Sequence, residues 1–203
     1  MINILISPSQ QNGPEETQVR PICQKLYEKL KVDNLVNADI IPDLPGATDN
    51  TRLIAAINYS NKWFLDHGGK NSGYHLAIHE DAGYPGTGSS AFYYGDKGMT
   101  FVKPIFDALC AITPWSDMQL KLRTDLGELK QTDASAALIE ISFYDKPDEW
   151  RWMNDNQDLI ADTIADGIYT SLKLTKSVYI DWKKRYFDLT AKIASFVKEV
   201  DKG

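Results

Sequence analysis

Three runs in this chain join aliphatic residues to a polar residue at the C-terminal end, and they limit the fold more than anything else in the sequence. They are Ile2-Asn3-Ile4-Leu5-Ile6 before Ser7-Pro8-Ser9-Gln10, Tyr74-His75-Leu76-Ala77-Ile78 before His79, and Ala136-Ala137-Leu138-Ile139 before Glu140. Short apolar runs without clean alternation suit strands buried on both faces. Between them, apolar residues recur at steps of three and four. Val19, Ile22, Cys23, Leu26 and Leu30 mark a helix over 15–31, and a second covers 48–66. Phe101, Ile105, Ala108 and Leu109 mark a third over 99–111, and Leu159, Ile160, Ile164, Ile168 and Leu172 a fourth over 155–172. Strands alternating with helices of this length predict an α/β fold. The expected architecture is a single three-layer domain over 1–174, with a mostly parallel central sheet flanked by helices.

Local signals refine this plan. Pro21 should interrupt the first helix unless it lies in the first turn. Thr48 or Asp49 can cap the second helix, and His67-Gly68-Gly69 closes it. A weaker strand is expected at 36–41, a short aromatic one at 91–94, and a strong one over 136–143; 113–133 reads as a polar connection. Residues 175–203 differ in kind. Tyr179, Trp182, Tyr186, Leu189, Ile193, Phe196 and Val200 form an a/d heptad seam. A C-terminal amphipathic helix is expected there. It could pack on its own domain, pair two chains as a homodimer through 179–200, or begin a linker to a further module.

Charge and composition remove several classes of function. A net charge of −6 argues against a general nucleic-acid binder, which needs a basic surface to neutralise phosphates. No apolar run approaches the roughly 18 residues of a membrane span. The N-terminus enters a strand directly, so no signal peptide is expected, and synthesis is placed in the cytoplasm. Cys23 and Cys110 both lie in apolar helical patterns and read as free thiols rather than a disulfide.

Sites in open α/β sheets gather at the carboxyl ends of strands, where loops vary over rigid roots. His79 stands at such an end, and imidazole is the commonest protein metal ligand. His75 lies on the same strand about 13 Å away, at 3.3 Å per residue, so an extended strand cannot bring both to one metal. His75 is therefore expected to be a hydrogen-bonded core histidine and His67 an exposed helix end. Glu140 interrupts an apolar run. Burial would raise its pKa toward the range of a general acid or base, unless it pairs with a cation such as Arg123. Glu15 and Glu16 stand at a helix start, where carboxylates are favoured in any case. The loop 83–90, with Tyr84, Tyr93 and Tyr94 nearby, could form a binding platform or simply a surface loop beside core aromatics.

Taken together, these segments resemble the zinc-dependent N-acetylmuramoyl-L-alanine amidases of bacterial autolysins and phage endolysins. The family's motifs are an opening strand ending in a Pro-Gly-His-Gly-like turn, a glutamate at the first helix, a strand ending Ile-His-x-Asn-Ala, and a late strand Val-Glu-x-x-Phe. The corresponding pieces are Ile6-Ser7-Pro8-Ser9-Gln10, Glu15, Ile78-His79-Glu80-Asp81-Ala82 and Ile139-Glu140-Ile141-Ser142-Phe143. The resemblance spans roughly 2–172. It implies Glu15 and His79 as zinc ligands, Glu140 as catalytic acid/base, and peptidoglycan as substrate, with cleavage between N-acetylmuramic acid and L-alanine by metal-assisted hydrolysis. Glu15 is preferred to Glu16 for its register with Ile22 and Leu26. Gln10 stands where the family has its first histidine, and Asp81 replaces an asparagine. A neutral amide is a weak zinc donor. Three outcomes are open: a weakened zinc site completed by Asp81 or Glu16, a site for a harder cation, or a metal-free binding or scaffold protein with an amidase fold. Without a signal peptide, reaching the wall requires lysis or non-classical export.

Overall fold

The computed structural model describes residues 1–32, 35–83, 85–115 and 118–175. In chain order its elements are β1 (Ile2–Pro8), α1 (Pro14–Lys31), β2 (Val36–Ile40), α2 (Asp49–Asp66), β3 (Gly73–Asp81), β4 (Ser90–Tyr93), α3 (Asp96–Ile112), β5 (Gln119–Leu122), α4 (Gly127–Gln131), β6 (Ser135–Phe143), α5 (Pro147–Asp155) and α6 (Gln157–Ser171). The strands form one sheet in the order β2-β1-β3-β6-β4-β5. β2, β1, β3 and β6 run parallel, while β4 is antiparallel to β6 and carries β5 parallel to itself.

Two sets of helices sandwich this sheet. On one face Ile4, Ile6, Leu76, Ile78, Ile139 and Ile141 meet the apolar stripes of α1, α3 and α6, including Ile22, Leu26, Phe101, Ile105, Ile164 and Ile168. On the other, Leu5 meets Ala56, Trp63 and Phe64 of α2, and Ala77 and Leu138 meet Leu129 of α4. This is the predicted three-layer arrangement, with the parallel strands covered on both faces as their apolar runs require. α3 and α6 approach so closely that a Cβ added at Gly167 would lie 2.5 Å from the Ile105 Cα. Cys23 and Cys110 are free, as expected.

The differences from expectation have physical causes. α1 runs through Pro21 instead of stopping there. Pro21 is exposed, so the Thr17 carbonyl left without a ladder partner is on the solvated side of the helix. The segment 113–133 holds an edge strand and a five-residue helix, β5 and α4. The expected helix over 155–172 is preceded by a separate one, α5, and the two meet at Asn156. The heptad seam at 179–200 and Tyr84 lie outside the described residues. Among the described residues no helix is long and apolar enough to cross a membrane.

Candidate active site

The site forms where β3 and β6 end side by side. Their parallel register pairs His79 with Glu140, so both side chains leave the same face of the sheet on neighbouring strands. The register shifts immediately afterwards, between His79 and Asp81, and pairing resumes at Asp81 and Phe143. α1 delivers the third residue. It starts after Gly13, whose φ of 133° suits glycine, and its first turn carries Glu15 and Glu16. Consecutive helical residues diverge by about 100°. Glu15 is buried, and its Oε1 lies 2.9 Å from His79 Nδ1. Glu16 turns the other way, where Arg20 and Arg52 bind it at 2.7 and 2.8 Å. Glu15 is thus the acid at this cluster.

A residue that sequence reasoning missed completes the arrangement. Glu128, on α4, sets Oε2 3.2 Å from His79 Nε2 and Oε1 2.9 Å from His75 Nε2. It also accepts the Ser7 hydroxyl. His75 Nδ1 in turn lies 2.9 Å from Ser60 Oγ, and His75 has no exposed surface. His75 is therefore the hydrogen-bonded core histidine that was expected, but it is tied to His79 through a shared carboxylate. His67 is an exposed helix end, stacked on Trp63.

These contacts fix the charges. Burial opposes charge on His79, yet the hydrogen bonds with Glu128 and Glu15 raise its pKa well above the ordinary value. Burial likewise pushes the Glu128 carboxyl up, but the hydrogen bonds from His75 and His79 hold it far below the usual range. Glu140 is different. Its Oε2 has no partner among the described residues, and burial, with Glu15, Asp81 and Glu128 nearby, raises its pKa to about 8 against the pull of His79. Arg123, the cation expected as the alternative partner of Glu140, pairs with Asp125 at 2.8 Å instead. Glu80, beside His79 in sequence, is 3% exposed, and among the described residues neither of its oxygens has a partner. Burial, with Glu15, Glu140 and Glu149 nearby, raises it to about 9. A carboxyl poised near neutrality beside an imidazole, in a cluster of acids, can exchange protons with a bound water or amide.

The family model for N-acetylmuramoyl-L-alanine amidase matches residues 8–170, a span that contains Glu15, His79, Glu128 and Glu140. The chain belongs to this family. Its fold is similar to the crystal structure of N-acetylmuramoyl-L-alanine amidase from Clostridium difficile 630, with a TM-score of 0.70 and 18% identity over 85% of this chain and 97% of that one. It is also similar to the catalytic domain of CwlV, an N-acetylmuramoyl-L-alanine amidase from Bacillus (Paenibacillus) polymyxa var. colistinus. There the TM-score is 0.71 and the identity 15%, over 86% of this chain and all (100%) of that one. Uncharacterized protein CPE1502 from Clostridium perfringens (strain 13 / Type A) is 29% identical over 154 residues. That match covers 71% of this chain but only 44% of the relative's length.

The residues present do not fit a complete zinc site of the family's kind. Glu15 and His79 Nδ1 converge as two donors. The expected third position is Gln10, whose side chain is spent elsewhere: Oε1 accepts the Leu44 N–H at 3.2 Å, and Nε2 donates to the Pro8 and Pro42 carbonyls at 3.3 Å. Glu16 is committed to two arginines, and the Asp81 Oδ1 accepts the Ala82 N–H at 2.7 Å. Among the described residues, no three His, Cys, Asp or Glu groups are placed to hold a metal ion together.

Proposed function

We propose that this domain hydrolyses the amide between N-acetylmuramic acid and L-alanine in peptidoglycan, with Glu140 as the proton-transfer group. The observation that carries the reading is Glu140 itself, a half-buried residue in register with His79, with one carboxyl oxygen shielded and unpartnered among the described residues and a pKa raised to about 8. As carboxylate, Glu140 takes a proton from water as the water oxygen bonds to the lactyl carbonyl carbon. As acid, it returns that proton to the alanine nitrogen as the C–N bond breaks. Glu15 and Glu128 hold the His79 ring from both sides, so it cannot rotate away from Glu140. Zinc, which the family implies, would lower the pKa of a bound water. Glu15 and His79 would supply it two protein donors rather than three.

The lock on Gln10 favours a second reading, in which the domain binds peptidoglycan without cleaving it. Either activity belongs at the cell wall, reached by lysis or by export. Two measurements separate the readings. Digestion of purified peptidoglycan should release new L-alanine amino termini, and Glu140→Ala should remove more than nine-tenths of that rate; a variant that keeps full activity refutes the role. Plasma mass spectrometry of dialysed protein, alongside His79→Ala, reports the metal. About one zinc per chain, lost in the variant, supports hydrolysis, whereas no stoichiometric metal even after zinc addition favours binding alone.

A further inference from the structure

The site side of the sheet is not covered throughout. α2 packs on β1 and α4 on β6, whereas the helix packed on β4 and β5 is α3, which belongs to the opposite layer. The register shows what lies on the open part. Ser90 is paired with both Glu140 and Gln119, and Phe92 with both Leu138 and Lys121. Paired positions share a face, so Ser90, Phe92, Gln119 and Lys121 continue the face that carries Glu140 out to the sheet edge. A cleft of about 190 Å³ lies there, lined by Asp81, Ser90, Phe92, Gln119, Lys121 and Arg123.

Two cations hold the rim of this cleft. Lys121 is exposed. Arg123 is fixed in place: its Nε and one terminal nitrogen each meet Asp125 at 2.8 Å, and its guanidinium lies over the Phe92 ring, 5.3 Å from the centroid. Inward from them Asp81 lines the cleft, while burial holds Glu140 and Glu80 toward their neutral acid forms and Glu15 is paired with His79. An anionic group would be drawn to Lys121 and Arg123, the two cations lining the cleft. A lysine on an edge strand also deters strand-to-strand aggregation. That accounts for the exposure of Lys121 but not for an arginine pinned above Phe92 at the mouth of the site.

We propose that the β4–β5 shelf is a substrate subsite in which Lys121 and Arg123 recognise a free carboxylate on the stem peptide. The proposal rests on the peptidoglycan reading above and adds which part of the substrate is read. Glu140 lies two strand spacings, roughly 10 Å, from Gln119, and Lys121 is two residues further along β5, roughly 12 Å from Glu140 between backbones and within reach of its long side chain. An extended peptide advances about 3.3 Å per residue, which puts the carboxylate on the second or third residue beyond the scissile bond.

The test uses Glu140→Gln protein, so that ligand survives, and two ligands by calorimetry: N-acetylmuramyl-L-alanyl-γ-linked D-glutamate with its α-carboxyl free, and the same compound with that carboxyl amidated. The free carboxylate should bind at least about fivefold more tightly, as one well-placed charge pair provides. Added salt should erase the difference. Lys121→Met and Arg123→Met in the same background should weaken the free acid toward the amide while leaving the amide's affinity unchanged. Equal affinities, parallel losses for both ligands, or no binding of either would overturn the subsite. The wild-type digestion described above reports separately. Discrimination in binding without cleavage would overturn the hydrolytic reading alone, and cleavage without discrimination the subsite alone.

Discussion

Replacing Gly167 by alanine sets two physical effects against each other, and the structure decides between them. In a helix interior alanine is preferred to glycine by roughly 1 kcal/mol, so propensity alone predicts stabilisation. The new methyl group, however, would lie 2.5 Å from the Cα and 3.0 Å from the N of Ile105. Carbon atoms rest about 3.5–4.0 Å apart, so α6 would have to retreat from α3 by roughly 1 Å. The obstacle is backbone, not the end of a flexible side chain, and a new rotamer cannot relieve it. The retreat would loosen the packing of Phe101, Ile105, Leu109, Ile160, Ile164 and Ile168. Overpacking of this kind costs about 1–3 kcal/mol, and a backbone clash belongs at the top of that range. Net destabilisation of about 2 kcal/mol is expected after subtracting the propensity gain. For a chain of this size that lowers Tm by about 4–8 °C. Urea unfolding should show a lower midpoint with the same slope. A Tm equal to or above the parent's would refute the reasoning, since it would mean that the α3–α6 contact has slack.

Further substitutions probe the site. Glu80 has a folded pKa of about 9 against an ordinary 4.5, so the fold favours its acid form. That contribution is intact below pH 4.5 and declines by about 1.4 kcal/mol per unit as pH rises toward 9. Glu80→Gln in metal-stripped protein should therefore gain on the parent at up to that slope between pH 5 and 8, and parallel stability curves would contradict it. Glu128→Leu leaves two histidines without their shared acceptor. It should cost about 3–5 kcal/mol in chemical denaturation, and a loss below 1 kcal/mol would show that the network carries little. Gln10→Ala orphans the Leu44 N–H and should cost about 1–3 kcal/mol, with faster amide exchange at Leu44; unchanged exchange would refute its tethering role.

How legible these features were depended on how much surrounding pattern each element has. β1, β3 and β6 are long and apolar, and their polar last residues stand out against that background, so His79 and Glu140 could be read directly. Register with Ile22 and Leu26 pointed to Glu15 over Glu16 but could not secure the choice, because both are natural helix-start acids. That choice is made by Arg52, distant in sequence, which binds Glu16. β5 and α4 span only four and five residues, too short to show a period, and α4 carries Glu128. One signal could have led to it. A histidine in the middle of a buried strand needs a polar partner, and His75 implied a carboxylate or hydroxyl arriving from elsewhere. The fate of Gln10 was hidden because its partners, Pro8, Pro42 and Leu44, meet only when the loop after β2 folds back.

The anchoring of Glu16 has a mechanical meaning. A helix docked by an apolar stripe can roll by several degrees at little cost, because greasy contacts are non-directional. The Arg52 guanidinium, itself gripped by the Leu44 carbonyl, Asn12 and Asp43, works as a key in a slot. It indexes the azimuth of α1, and the neighbouring residue inherits that setting. Glu15 then points at His79 through geometry imposed on the opposite side of the helix. An engineer transplanting this first helix onto another sheet would need to carry the arginine with it, or the acid would arrive out of phase.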